Sequence, residues 1–273
     1  MKKLRLRLVA AGILAIVAAL APGLRGAAAA ELTLMVEPSY PPDQAAEVYK
    51  PLVDYLAATT QHQIKLVTPR NYHFFWRDVR QNAPVDFMFA EAQFTDFRAK
   101  RFQFEPIART VENTSYTLLG SDQLTDTTLR GLISKNIVSM PSPSMGFAML
   151  LQFFPDPVRQ PNLMSTAQSW ADGVEIVFAG EADAAIVPTW LKNQYPNLIP
   201  IATSKEYPGA AISAAPTVPP EAKQAMKDAL LKLHEDQGAY EVLAELGVTQ
   251  FVEATAAEYD GDEKVLEGFF GYK

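Results

Sequence analysis

Apolar residues alternate with polar ones from Glu31 to Glu37, with Leu32, Leu34 and Val36 on one face, and this pattern predicts a strand. The run Glu37-Pro38-Ser39-Tyr40-Pro41-Pro42-Asp43 breaks it as a turn. Asp43 is then placed to cap a helix reaching about Ala58, with Tyr49, Leu52, Val53, Tyr55 and Leu56 along one side. Gln63 to Thr68 predicts a second strand, and Tyr72-His73-Phe74-Phe75-Trp76 opens a second helix whose aromatic residues suit a core. Val85 to Ala90 reads as a buried strand, and Glu91-Ala92-Gln93 begins the helix after it. The β-α-β-α-β order implies a parallel sheet with right-handed crossovers.

Further along, Pro106–Val111 and Ser115–Leu119 predict strands, and Asp126–Leu132 a short helix. Ile137 to Phe154 opens as a β-type run and closes as an apolar helix, with a Ser/Pro/Gly turn between. Ser142 suits the N-cap and Pro143 the first helical position, while Ser144 serves equally well as the cap. Either choice gathers hydroxyls and free N–H groups at the positive end of a helix just past a strand, where open α/β sheets bind ligands. Thr166–Ala179 predicts a helix, Ala182–Val187 and Asn197–Ala202 strands, Pro220–His234 an amphipathic helix, and Gly238–Leu246 another closed by Gly247.

The first thirty residues change the picture. Lys2, Lys3, Arg5 and Arg7 precede an apolar run from Leu8 to Leu20, and Ala28-Ala29-Ala30 offers a small-residue cleavage site. That is the pattern of a secretory signal, too short in its apolar run for a membrane span. A mature chain starting near Glu31 loses 5 of 24 basic residues and none of 31 acidic ones, leaving a formal charge of −12. Such a balance argues against nucleic acid and anionic membrane surfaces as partners. The chain has no cysteine, so neither disulfides nor a lipid at the cleavage site is expected. A freely soluble protein of a Gram-negative periplasm fits best.

Several segments then resemble one family. Tyr49-Lys50-Pro51-Leu52-Val53-Asp54-Tyr55-Leu56 is similar to the first-helix signature of the phosphonate/phosphate-type (PhnD-like) periplasmic solute-binding proteins of ABC transporters. Val85–Phe89 resembles their third strand, and Gly180-Glu181-Ala182-Asp183-Ala184-Ala185 their late G-x-x-D-A-A strand. Leu246-Gly247-Val248-Thr249-Gln250-Phe251, with Ala254, Thr255 and Tyr259, resembles their C-terminal segment. The resemblance implies a type II periplasmic binding protein fold, α/β, with two lobes, each a mixed sheet flanked by helices. The larger lobe would comprise 31–112 and 212–273, the smaller 119–205, with crossings at 113–118 and 206–211. It implies a small-molecule ligand in the cleft, by family default a phosphonate, phosphite or phosphate, and delivery to inner-membrane transporter components.

The chain departs from the family at the site. Where the family carries a Ser-Thr-Ser-Gly-like run for the phosphorus oxyanion, this chain has Ser142-Pro143-Ser144-Met145-Gly146. A Ser-His pair gives way to Ser169-Trp170, and a Gly-Pro-like turn to Ala90-Glu91-Ala92. A possible cation is lost, and a carboxylate and bulky apolar groups are gained. The candidate ligand-binding residues are Tyr40, Glu91, Tyr116, Ser142, Ser144, Met145, Trp170 and Trp190. Each has a plain alternative: capping for the serines, dipole compensation for Glu91, packing for the aromatics. Glu112 beside Asn113 is a further polar candidate at a crossing. The departures suit a neutral or amine-bearing, more apolar ligand, with a lipid- or sterol-like molecule in periplasmic lipid traffic as one alternative. A sensor or interaction module without a transport role is another.

Enzyme chemistry finds little support. His62, His73 and His234 are scattered without metal-ligand spacing, and there is neither a G-x-S-x-G elbow nor a P-loop. A monomer without metal or cofactor is expected.

Overall fold

Leu34 and Val36 are fully buried, which places the first strand, β1 (Glu31–Val36), inside a sheet rather than at its edge. The computed structural model describes residues 31–238 and 240–273, so the predicted export signal lies outside the described residues. β1 pairs in parallel with β2 (Gln63–Val67) and β3 (Phe87–Ala90), through the crossover helices α1 (Pro42–Thr60) and α2 (Tyr72–Arg80). In α2 the buried residues Tyr72, Phe75, Trp76 and Val79 follow the i, i+3, i+4, i+7 rule of one helix face. Asn71 caps it, its side chain accepting from the Phe74 N–H at 3.1 Å. The expected cap of α1 is corrected: Pro41 takes the N-cap and Asp43 lies in the first turn. Pro42 holds the first helical position, where its fixed φ and missing N–H cost nothing.

After α3 (Ala92–Phe102), β4 (Glu105–Thr110) returns to the same sheet. β10 (Ala211–Ala214) fits antiparallel between β3 and β4, and β11 (Phe251–Glu253) covers the outer side of β4. The sheet order is β11-β4-β10-β3-β1-β2.

A second mixed sheet comprises β5 (Tyr116–Gly120), β6 (Asn136–Val138), β7 (Asn162–Met164), β8 (Ala184–Pro188) and β9 (Ile199–Thr203), in the order β7-β6-β8-β5-β9. Two helices flank it, α4 (Met145–Phe153) after β6 and α5 (Trp170–Phe178) before β8. The expected helix over Asp126–Leu132 is a series of turns. There Asp126 Oδ1 accepts from both the N–H and the hydroxyl of Thr128, a local alternative to helical bonding. α5 begins at Trp170, later than expected, because Ser169 caps it by accepting from the Asp172 N–H.

The chain passes between the sheets twice, after β4 and after β9. The passes are tied side by side by reciprocal backbone bonds between Thr114 and Tyr207, at 2.9 and 2.8 Å. Gly209 runs so close to Thr110 that a side chain there would strike its hydroxyl. The C-terminal segment braces the second pass, with the Tyr259 hydroxyl donating to the Gly209 carbonyl at 2.8 Å. Beyond β10, α6 (Pro220–Lys232) packs on α1, and α7 (Tyr240–Glu245) ends at Gly247, whose φ of +67° is the left-handed value a helix stop favours. Buried apolar residues of the two sheets, such as Phe89 and Val187, belong to one continuous core. Among the described residues no helix is long and apolar enough to cross a membrane.

Candidate functional site

A strand that ends in a buried acid is unusual, because a carboxylate taken out of water needs partners. Glu37 directly follows β1 and is 5% exposed. Its N–H donates to the Phe89 carbonyl, which extends the β1–β3 pairing by one residue. Its Oε2 accepts from the Glu91 N–H at 2.9 Å. Glu91 stands at the N-cap of α3, and its side chain makes no capping bond. Instead its Oε1 accepts a hydrogen bond from the Tyr116 hydroxyl on β5 of the other sheet. The second oxygen of each acid, Glu37 Oε1 and Glu91 Oε2, is buried and without a hydrogen-bond partner among the described residues.

Burial is the main force on both acids and disfavours their charged forms. It holds Glu91 above the usual carboxylate range and, with the added charge of Glu91 beside it, holds Glu37 well above that range. Tyr116 and Tyr72 are likewise raised, first by burial and then by these carboxylates, so both phenols stay neutral donors.

The acids face a cavity of about 360 Å³ between the sheets. The first sheet contributes Glu37, Phe89, Ala90 and Glu91, the ends of β1 and β3 where α/β sheets place their ligands. The loop before α1 adds Ser39 and Tyr40, and α1 adds Tyr49. The Tyr40 ring stands edge-on to Tyr49 at 6.4 Å, and Tyr49 edge-on to Phe89 at 6.3 Å, forming an aromatic wall. The Tyr40 hydroxyl donates to Glu245 Oε1 at 3.2 Å, and burial together with that carboxylate keeps its pKa above the ordinary phenol value.

From the second sheet come Trp170, Pro188, Thr189 and Trp190. The two passes supply Thr110, Glu112, Asn113, Thr114, Ser115, Glu206 and Ala210, and the segment after α7 supplies Leu246, Gly247 and Val248. Glu112 Oε1 accepts from the N–H and hydroxyl of Thr249 at 3.0 and 2.6 Å, while its Oε2 is buried without a partner among the described residues. Asn113 donates to Glu206 Oε2 at 3.1 Å. No three His, Cys, Asp or Glu side chains converge as a metal ion requires among the described residues.

Of the residues singled out in the sequence, Tyr40, Glu91, Trp170 and Trp190 meet at this cavity, as do Glu112 and Asn113 at the crossing. Tyr116 lies one layer behind, fully buried, with its ring 5.3 Å from that of Trp170. Ser142, Ser144 and Met145 are outside the cavity lining. The reason is Trp170: its ring covers the first turn of α4, where a Cβ on Gly146 would come within 2.8 Å of it. Beneath that cover Ser144 turns inward, donating to the Met140 carbonyl at 3.2 Å and accepting from the Phe147 N–H at 3.3 Å. Ser144 is therefore the cap of α4, and Met145 packs in the core with Tyr116 and Ile186. Pattern reading missed Glu37 and Glu206. An acid at the carboxyl end of a β1-type strand was a usable signal for Glu37, and a place in the second crossing was one for Glu206.

This architecture has counterparts. A phosphonate-binding protein, PhnD1 from Prochlorococcus marinus (MIT 9301) in complex with methylphosphonate, matches with a TM-score of 0.75 at 14% identity, covering 86% of this chain and 97% of that one. A binding protein component of an ABC phosphonate transporter from Pseudomonas aeruginosa matches at 0.69 and 16% identity, covering 84% and 83%. A Xanthomonas citri protein bound to ATP matches at 0.65 and 13%, covering 86% and 95%. At these identities the likeness speaks for the fold, that of type II periplasmic binding proteins with two mixed sheets flanked by helices. No curated protein matches the sequence. A family model described as "ABC transporter, phosphonate, periplasmic substrate-binding protein" matches residues 34–259, which include both passes, every residue lining the cavity, and both sheets apart from the first three residues of β1. The chain thus belongs to the periplasmic substrate-binding protein family of phosphonate ABC transporters.

Proposed function

We propose that this chain captures one small solute between its two sheets in the periplasm and hands it to an inner-membrane ABC permease, as a soluble monomer that performs no chemistry on its cargo. The observation that carries the reading is the joint construction of the cavity, which takes walls from both sheets and its hinge side from both passes. A ligand touching both halves stabilises the closed arrangement more than an open one, and the population shifts accordingly. Export through cleavage near Glu31 is part of the same reading. Family membership makes a phosphonate, phosphite or phosphate the default ligand, and the methylphosphonate held by the Prochlorococcus marinus relative supports that default. The comparisons favour this transport reading over lipid traffic and over a sensor module.

Native mass spectrometry of the mature protein purified from periplasm tests the reading. One small molecule retained per chain, with a more open scattering envelope after the molecule is stripped by unfolding and refolding, is the expected result. A chain that retains nothing, with an envelope that no added solute alters, contradicts it.

A further inference from the structure

The charge of the cavity is one-sided. Four of its lining residues, Glu37, Glu91, Glu112 and Glu206, are acids, and no lysine, arginine or histidine joins them among the described lining residues. Two helix starts near the cavity are partly taken up by the chain's own groups. Glu37 Oε2 already takes the Glu91 N–H at the start of α3, and Trp170 covers the start of α4, where Ser144 is bonded inward. A dianionic phosphonate would meet four acids and no lysine, arginine or histidine among the described lining residues.

The lining acids bring acceptors. Glu37 Oε1, Glu91 Oε2 and Glu112 Oε2 are buried carboxylate oxygens without partners among the described residues, each on a residue that lines the cavity. Buried acceptors left unmatched are costly, and a ligand that donates to them removes the cost. A primary ammonium offers three N–H donors and one positive charge. The aromatic faces of Tyr40, Trp170 and Trp190 border the same space and suit both a cation and an apolar body. A metal ion fits poorly, since no three ligating side chains converge among the described residues.

From the solute-capture reading above, we infer that the cavity takes a primary organic ammonium, its nitrogen seated at Glu37 and Glu91 and its apolar body against Tyr40, Trp170 and Trp190. The acidic lining, without lysine, arginine or histidine among the described lining residues, disfavours a phosphorus oxyanion relative to a cation. A neutral alcohol of the same shape supplies one donor and no charge, so it binds more weakly.

The test is tryptophan fluorescence titration of the stripped mature protein with n-butylamine, phenethylamine, phenethyl alcohol and methylphosphonate, repeated on Glu37→Gln. Saturable quenching by an amine, at least about tenfold tighter than by the alcohol and weakened about tenfold or more in Glu37→Gln, is expected. Circular dichroism of the variant confirms that it folds. Methylphosphonate binding without amine binding overturns the ammonium assignment and leaves solute capture standing. Equal affinity for phenethylamine and phenethyl alcohol also overturns the assignment. No response to any of the four, with no molecule retained in native mass spectrometry, overturns both.

Discussion

Glu37 Oε2 accepts the Glu91 N–H at 2.9 Å, so a carboxylate of the protein itself sits at the positive end of α3. Partial positive charge at a helix start attracts anions. Here the attraction is answered from within the chain, by one of two adjacent acids that line the cavity.

That pairing sets a pH dependence. Both acids have folded-state pKa values raised above their ordinary value, first by burial and, for Glu37, next by the Glu91 charge. The groups facing them are Tyr72, Tyr116 and, more remotely, Tyr49, all neutral phenols, and among the described residues no cation offsets the pair. A raised carboxyl pKa means that the folded state holds protons the unfolded state has released. Its contribution to stability is therefore full below the unfolded pKa and is lost as pH rises through the folded one. The loss is at most about 1.4 kcal/mol per pH unit for one proton. Thermal unfolding of the ligand-free protein between about pH 5 and pH 8 should show Glu37→Gln gaining on the wild type as pH rises. A difference that stays constant across that range contradicts the raised pKa.

Tyr116→Phe removes the donor that reaches Glu91 from the second sheet. The Tyr116 bond lowers the Glu91 pKa, so its loss raises that pKa further, and it leaves a buried acceptor unmatched at a cost of about 1–3 kcal/mol. Denaturant unfolding should show that loss, and the fall of stability with rising pH should extend to higher pH than in the wild type.

Gly247 has φ +67°, and a Cβ there would lie 2.5 Å from the Trp190 ring. Gly247→Ala thus meets both backbone strain and a clash across the cavity rim, and a destabilisation of about 1–3 kcal/mol is expected. Trp190 emission should shift to longer wavelength as the indole is pushed off its seat. An unchanged spectrum would show that the ring has other room.

Ser144→Ala separates capping from ligand contact. Loss of the bond to the Phe147 N–H should cost about 1 kcal/mol in unfolding experiments, with ligand affinity unchanged. A tenfold weaker ligand would place the ligand at the α4 tip instead.

Much of the architecture was legible because it rests on local rules. The alternation of Leu32, Leu34 and Val36 and the spacing of Tyr72, Phe75, Trp76 and Val79 each report one buried face, and each strand or helix formed as read. Boundaries slipped where side chains competed with pattern, as with Asp126 gripping Thr128 and Pro41 standing at the cap in place of Asp43. The site was half legible. Tyr40, Glu91, Trp170 and Trp190 could be placed by topology, since strand ends and the loops after them converge. The exclusion of Ser142, Ser144 and Met145 depends on Trp170 lying over Gly146, a contact between residues far apart in sequence that no periodicity encodes. The pairing of Glu37 with Glu91 likewise spans two strands and a helix, and nothing local in Glu37-Pro38-Ser39 announces it.

The central claim is that a solute is held between the sheets by paired acids. Isothermal titration of phenethylamine into the stripped mature protein, in two buffers of different ionisation enthalpy, tests it most directly. The account predicts one ligand per chain with net proton release, because a cation beside Glu37 and Glu91 favours their ionised forms. Binding of methylphosphonate with proton uptake, and no heat from the amine, would contradict it.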